Sequence, residues 1–277
     1  MDKLKILILT NHAPYPPTRG DKSRDYNVVK HLSGIHSLDV CFIQKFDDPA
    51  FELTREKLKH VHLWGKISSQ KLKERLLRVA AIFFGVPSQV FSLKAIGLKK
   101  EIGELINKNQ YDIIISEKFY AACLIPKSCK IPVLIDNHNI EFVYYDSLAS
   151  ASESFSRKLF YRADAKRIFK AEKEILNRSA GSIFLSNKDY ETACTYYAYK
   201  KPFCIIPQGI DRDRLESMDA ASDPLKRSDL LFVGNLSQSR NFEPLCGFIK
   251  NAKAHLSQTP DFRMVIIGKG APQSLQA

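Results

Sequence analysis

KILILTNHAPYPPTRGDKSRDYNVVKHLS, residues 5–33, opens on a short apolar run and closes on helical periodicity from Tyr26 to Leu32. A run of that length bounded by turn residues reads as a strand buried on both faces, and the helix behind it is the partner that covers one face. Between them, Pro16 and Pro17 stiffen an extended segment and Gly20 permits a tight turn. Asp21 is placed to cap the helix, whose first turn carries Lys22 and Arg24. Cations there oppose the helix dipole, so Arg24 and the free N–H groups of the helix start are expected to meet an anionic group.

The same pattern repeats outward. Further apolar runs fall at 38–44, 60–64, 112–116, 132–136, 181–186 and 203–207, separated by helical patterns such as Ala95 to Ile106 and Tyr161 to Ile175. Strands alternating with helices predict a doubly wound parallel α/β sheet. Residues 212–228 are polar, lack a strand pattern and contain Pro224, which suits a linker. A second strand, helix and strand unit follows in DLLFVGNLSQSRNFEPLCGFIKNA (229–252) and FRMVIIGKG (262–270). The expected organisation is a first domain over 1–211, a linker over 212–228, and over 229–277 the incomplete start of another. Two strands and one helix cover little apolar surface, so low local stability is expected beyond about residue 225.

The 277 residues are 44% hydrophobic and 26% charged, the balance of an ordinary soluble globular protein. The longest apolar run, Val79 to Val86, is far below the roughly 20 residues that span a bilayer. LKILILT at residues 4–10 is too short for a signal-peptide core. Six scattered cysteines without a CxxC pair read as reduced thiols of a cytoplasmic protein. The net charge is +12, and residues 55–108 hold twelve Lys or Arg against four Glu. Within them SSQKLKERLLRVAAIFFGVP (68–87) has Leu72, Leu76, Val79 and Phe83 on one helical face and Lys71, Arg75 and Arg78 on another. That is either a solvated basic face or a peripheral contact with anionic lipid at the inner face of a membrane. No aromatic stacking patch accompanies the basic residues, which argues against nucleic acid, and no GxGxxG follows the first strand.

Polar residues cluster behind the strands: Asn11 and His12, Glu117 and Lys118, Asn137 to Glu141, Asn187 and Lys188, and Gln208, Gly209 and Asp211. In a parallel sheet these gather at the carboxyl edge, where open α/β sheets bind ligands. Asn187 is read as a helix cap. Asp136, His138 and Glu141 lack metal-ligand spacing, so no metal is expected. His138 beside Asn137 and Asn139 suits either contact with a hydroxyl-rich ligand or a structural bond to loop backbone.

The ordered series ILILTNHAPYPPTRGDKSRDYNVVKHLS, LIDNHNIE, SIFLSNKDYE, IIPQGID, LLFVGNLSQSRNFEPLCGFIKNA and MVIIGKGAP resembles the GT-B glycosyltransferases of the group called family 4, in particular members of bacterial polysaccharide or cell-surface glycan synthesis. The resemblance implies two Rossmann-like domains, with acceptor mainly on the first and nucleotide sugar mainly on the second. It implies transfer of a hexose-type sugar from an NDP-sugar to a glycan or lipid-linked acceptor, with retention and without an obligatory metal or other cofactor. Gly20 and its neighbours match the glycine loop near the donor diphosphate, and His138 a position beside the transferred sugar. Gln208, Gly209 and Asp211 match the Asn-Gly-x-Asp at the end of the first domain, with Gln in place of Asn. Gly234, Asn235, Arg240 and Asn241 match the diphosphate loop, with Asn235 and Asn241 where many relatives carry an Arg and a Lys.

The candidate site is therefore His138 as catalytic group, with Gly20, Asp21, Arg24, Asn137, Asn139, Glu141, Gln208, Gly209, Gly234, Asn235, Arg240 and Asn241 binding donor or acceptor. The family's pair of Glu separated by seven residues does not occur after Gly270, so the chain alone is expected to be impaired or inactive. The competing expectation is a non-catalytic module that binds an acceptor or a membrane surface.

Overall fold

The computed structural model describes residues 2–45, 50–59, 61–68, 80–81, 84–95, 97–210, 230–237, 239–256 and 264–270. The chain divides into two compact units, Met1–Asp211 and Arg212–Ala277. The linker expected over 212–228 lies outside the described residues, as does Asp211, and so do residues 69–79, 82 and 83 of the amphipathic segment 68–87.

The first unit carries seven strands: β1 (Lys5–Thr10), β2 (Ser37–Lys45), β3 (His62–Ser68), β4 (Ile113–Glu117), β5 (Val133–Asn137), β6 (Gly181–Phe184) and β7 (Phe203–Ile205). All pair in parallel, in the order β3-β2-β1-β4-β5-β6-β7. This is the Rossmann-like, doubly wound arrangement. Its helices are α1 (Gly20–Ser33), α2 (Ala50–Lys57), α3 (Ser88–Ala95), α4 (Leu98–Lys108), α5 (Lys118–Ala122), α6 (Glu141–Ser150), α7 (Phe155–Arg178) and α8 (Asn187–Tyr197).

The alternation of side chains in β1 shows why both faces are covered. Leu7 and Leu9 enter a core with Ile114, Ile135, Ile168 and Phe184, while Ile6 and Ile8 enter a second core with Tyr26, Val29, Val40 and Phe42. A strand apolar at successive positions fits only where helices pack on each side.

Three local expectations shift. The strand expected at 60–64 runs instead from His62 to Ser68, because pairing with β2 starts at Asp39 opposite His62 and carries the strand past Gly65 and Lys66. The helix expected over Ala95 to Ile106 is split, with Gly97 at φ +82° separating α3 from α4. The α8 cap is Ser186, which accepts the Asp189 backbone N–H at 3.2 Å; Asn187 is the first helical residue.

In the second unit β8 (Leu230–Val233) pairs in parallel with β9 (Met264–Ile267), and α9 (Ser239–Leu256) lies between them in sequence. Beyond the strands, Gly234 donates its N–H to Ile267 at 3.0 Å and Leu236 to Lys269 at 2.9 Å. Gly268 is tightly constrained there, since a Cβ on it would stand 1.8 Å from the Gly234 carbonyl oxygen. Leu231, Val233 and Ile267 remain 60, 68 and 54% exposed.

Candidate functional site

In the strand order, β1 and β4 are neighbours whose chain connections leave in opposite directions. That is the topological switch point at which ligands of open α/β sheets bind. The loop after β1 is fastened there twice. The Asn11 N–H donates to Glu117 Oε2 at 2.8 Å, joining the ends of β1 and β4. Thr54 of α2 donates its hydroxyl to the Tyr15 carbonyl at 2.8 Å and accepts the Tyr15 N–H at 3.3 Å.

His138, just past β5, is 7% exposed and sits among carboxylates. Its Nδ1 is 3.5 Å from Glu117 Oε1, and its Nε2 is 3.7 Å from Asp25 Oδ1 and 3.8 Å from Asp136 Oδ2. Asp25 comes from α1, Glu117 from β4 and Asp136 from β5, so three elements converge on one imidazole. Asp25 Oδ2, Glu117 Oε1, His138 Nε2 and Asn11 Oδ1 are buried and make no hydrogen bond among the described residues. Burial first, and the facing Glu117 second, push the Asp25 carboxyl well above the usual range.

Arg24 departs from its expected role. The anionic group it meets belongs to the protein: Arg24 is buried, with Nε 2.8 Å from Asp136 Oδ2 and Nη2 2.8 Å from Asp136 Oδ1. Its Nη1 donates to the carbonyls of Ile206 and Pro207 at 2.9 and 3.3 Å. The guanidinium thus joins α1, β5 and the segment after β7. Burial would raise the Asp136 carboxyl, but His138 and Arg24 together hold it below the usual range.

Asp21 also departs: the residue before α1 is Arg19, and no side chain caps the helix. Asp21 Oδ1 accepts the N–H of its neighbour Lys22 at 2.9 Å, and Oδ2 pairs with Arg19 at 2.9 Å. Gly20 is the first helical residue, without a left-handed φ and with open space where a Cβ would stand. Its carbonyl accepts from Gln208 Nε2 at 3.3 Å. Gly209 likewise faces open space.

Asn137 is structural in its contacts, donating to the carbonyls of Ile135 and Ile183 across β5 and β6 at 3.3 and 3.1 Å. Asn139 is exposed. Glu141 is buried at the start of α6, 3.5 Å from Lys118 Nζ, and accepts the Tyr120 hydroxyl at 3.1 Å. Burial alone would lower the Lys118 ammonium, but Glu141 and Glu117 outweigh it and raise it. Lys118 holds φ +59°, a strained conformation of the kind that clusters at functional sites. Beneath this layer Glu172 of α7 accepts the N–H groups of Glu141 and Phe142 at 3.0 and 3.3 Å and the hydroxyl of Tyr197. Burial raises its carboxyl to about 7.

Asp25, Glu117 and His138 each bring one ligating atom within 4.8 Å of the others, a composition that suits a divalent ion. The metal set weighed from sequence is a different one. Its Asp136 is bound by Arg24 and its Glu141 by Lys118 and Tyr120. Asp25 escaped the sequence reading; the available signal was an acid placed one residue before Tyr26 on the buried side of α1.

In the second unit Gly234 follows β8, and the Asn235 side chain accepts the Ser237 N–H and hydroxyl at 3.1 and 2.7 Å. Asn241 donates to the Asn235 carbonyl at 3.0 Å, so the two amides brace one loop. Arg240 lies in the first turn of α9, its side chain outside the described residues.

No family model matches the chain. The chain is 22% identical over 276 residues to a Klebsiella pneumoniae protein described as "Uncharacterized 44.6 kDa protein in cps region", covering 95% of this chain and 64% of that one. Among solved structures it resembles sucrose-phosphate synthase from Thermosynechococcus elongatus, with 16% identity, TM-score 0.61, and 98% of this chain on 64% of that one. It also resembles the trehalose 6-phosphate synthase of Burkholderia multivorans, at 13% identity and TM-score 0.53 over 100% of this chain and 66% of that one. The catalytic domain of Arabidopsis thaliana starch synthase IV, bound to ADP and acarbose, matches at 12% identity and TM-score 0.52 over 99% and 70%. The chain thus spans about 64% of the length of the first relatives it matches, and at these identities the likeness shows its fold, that of GT-B glycosyltransferases.

Proposed function

We propose that the protein is a glycosyltransferase of the retaining family 4 type, which moves a hexose from an NDP-sugar to a glycan or lipid-linked acceptor in polysaccharide synthesis. The observation that carries this reading is His138, a buried imidazole held among Asp25, Glu117 and Asp136 at the carboxyl edge of a GT-B type sheet.

In the proposed step the bond from sugar C1 to the diphosphate oxygen breaks, and an acceptor hydroxyl oxygen bonds to C1 on the same face. The acceptor proton passes to the departing diphosphate. His138 orients a sugar hydroxyl and supports charge at C1, and Asp25 and Glu117 hold its ring. Arg24 neutralises Asp136 and Lys118 neutralises Glu141, and no resident metal is part of the proposed step. On the second unit the backbone of Gly234 and the amides of Asn235 and Asn241, with Arg240, receive the diphosphate. Amides stabilise a leaving dianion less than a cation pair does, and turnover by this chain is slow. The exposed basic residues of 55–108, Arg55, Lys57, Lys59, Lys94, Lys99, Lys100 and Lys108 among them, rest against anionic lipid. Among the described residues no helix is long and apolar enough to cross a membrane.

Calorimetric titration with UDP-, GDP- and ADP-hexoses, followed by measurement of nucleoside diphosphate release, tests this. One donor is expected to bind, and its slow release to fall at least 100-fold in His138→Ala with little change in binding. Absence of binding by every donor, or release unchanged in His138→Ala, overturns the proposal.

A further inference from the structure

Away from the carboxyl edge, two adjoining cavities of about 300 and 340 Å³ open on the helical face and at the amino-terminal ends of β5 and β6. They share Ile125, Lys127, Ile175 and Arg178, so they form one groove with Arg178 at its waist. The first is lined by Lys94, Lys99, Lys127, Arg167, Lys170 and Arg178; the second adds Lys130 and Lys201. Among the described lining residues the one acid is Glu174. Eight cations to one acid contrasts with 42 to 30 over the whole chain, so general basicity does not account for the groove.

The arrangement inside is ordered. Glu174 is bound by Lys127 at 2.6 Å, and Arg167 pairs with Asp164 at 3.5 Å, which fixes two of the cations at the rim. Arg178 Nη2 turns to the carbonyls of Ala122 and Ile125 at 3.5 Å each, leaving most of its fork of donors for the groove. Two titratable groups register the resulting field. The Glu174 carboxyl is held below its usual range by Lys127, with Arg178 and Lys94 adding to the effect. Burial raises the Cys123 thiol to about 12 against the opposing pull of Lys94 and Arg178. Like charges brought together in a concavity repel unless an anion joins them, and low-dielectric walls focus their field on that anion.

We propose that this groove binds a phosphate-bearing anion, either a soluble phosphorylated molecule or the headgroup of an anionic lipid, with Arg178 as the central contact. Phosphate oxygens take the Arg178 fork and the flanking ammonium groups, and the floor of Val90, Ile125, Ile135 and Ile175 accepts an apolar portion. The volumes suit one headgroup-sized moiety per cavity. The site is separate from the carboxyl edge and stands whether or not glycosyl transfer is the reaction.

The test uses the full chain with two probes: inorganic pyrophosphate by calorimetry, and co-sedimentation with vesicles of phosphatidylglycerol against vesicles of phosphatidylcholine. Three variants are compared: Arg178→Gln, the pair Lys94→Gln with Lys130→Gln, and Arg157→Gln as an exposed control outside both the groove and the basic region 55–108. The surface pair guards against loss of fold in Arg178→Gln. Saturable binding of at least one probe is expected, weakened at least fivefold in the groove variants and less than twofold in the control. Pyrophosphate binding assigns a soluble ligand; binding of anionic vesicles alone assigns a lipid headgroup. Binding of neither probe, or equal weakening in groove and control variants, overturns the site.

Discussion

Ile135 and Val233 occupy comparable places, each an apolar residue near the carboxyl end of a parallel strand with an Asn two residues on, yet Ile135 is fully buried and Val233 is 68% exposed. Ile135 has β4 and β6 on either side and helices above and below. Val233 pairs with Ile267 of β9 alone among the described residues. An apolar run specifies a strand, whereas its burial depends on how many other elements the chain brings to it.

That contrast can be broken most forcefully at the Arg24–Asp136 pair. Asp136→Ala leaves a guanidinium buried without its counter-charge and is expected to cost about 3–5 kcal/mol in urea unfolding of the first unit; Asn235→Ala, in the exposed loop of the second, is expected to cost about 1 kcal/mol or less. A loss below 1 kcal/mol for Asp136→Ala would mean that the first unit is not held by its interior. Ile135→Ala is expected to cost about 2–5 kcal/mol, and Val233→Ala to stay within about 0.5 kcal/mol. Equal costs would erase the distinction.

Burial in the first unit is also deep enough to move a carboxyl. The Glu172 value is raised to about 7 from a reference of 4.5, so its contribution is fully present below pH 4.5 and is lost as the pH rises through 7. The stability of the wild type minus that of Glu172→Gln should fall by up to about 1.4 kcal/mol per pH unit across that window. A difference flat with pH would contradict it. At the small end, Gly268→Ala forces a Cβ against the Gly234 carbonyl and should cost about 1–3 kcal/mol. Gly20→Ala, with open space around it in the first turn of α1, should be neutral or stabilising by up to about 1 kcal/mol.

Apart from β3, which runs on through Gly65 and Lys66 to Ser68, the strand positions were legible because each is a short apolar run, and the polar carboxyl edge was legible because the runs end in Asn, His, Glu and Gln. What each polar group does there was not. Arg24 looks like an anion ligand until Asp136, 112 residues away in sequence, takes up its fork. Asp25 and Glu117 acquire meaning only when β1 and β4 become neighbours, and a local sequence window carries no trace of that pairing. The Ser186 cap was missed by one residue, since Ser and Asn are both good caps and the backbone decides between them.

The central claim is that the buried imidazole at the carboxyl edge faces a sugar nucleotide. Carbon-13 labelling of the seven histidines, with the His138 resonance assigned by its loss in His138→Gln, reads that site directly. The His138 signal should shift on saturation with the NDP-hexose that binds, and stay in place with free hexose or with pyrophosphate. An NDP-hexose that binds by calorimetry while the His138 resonance stays fixed would contradict the account.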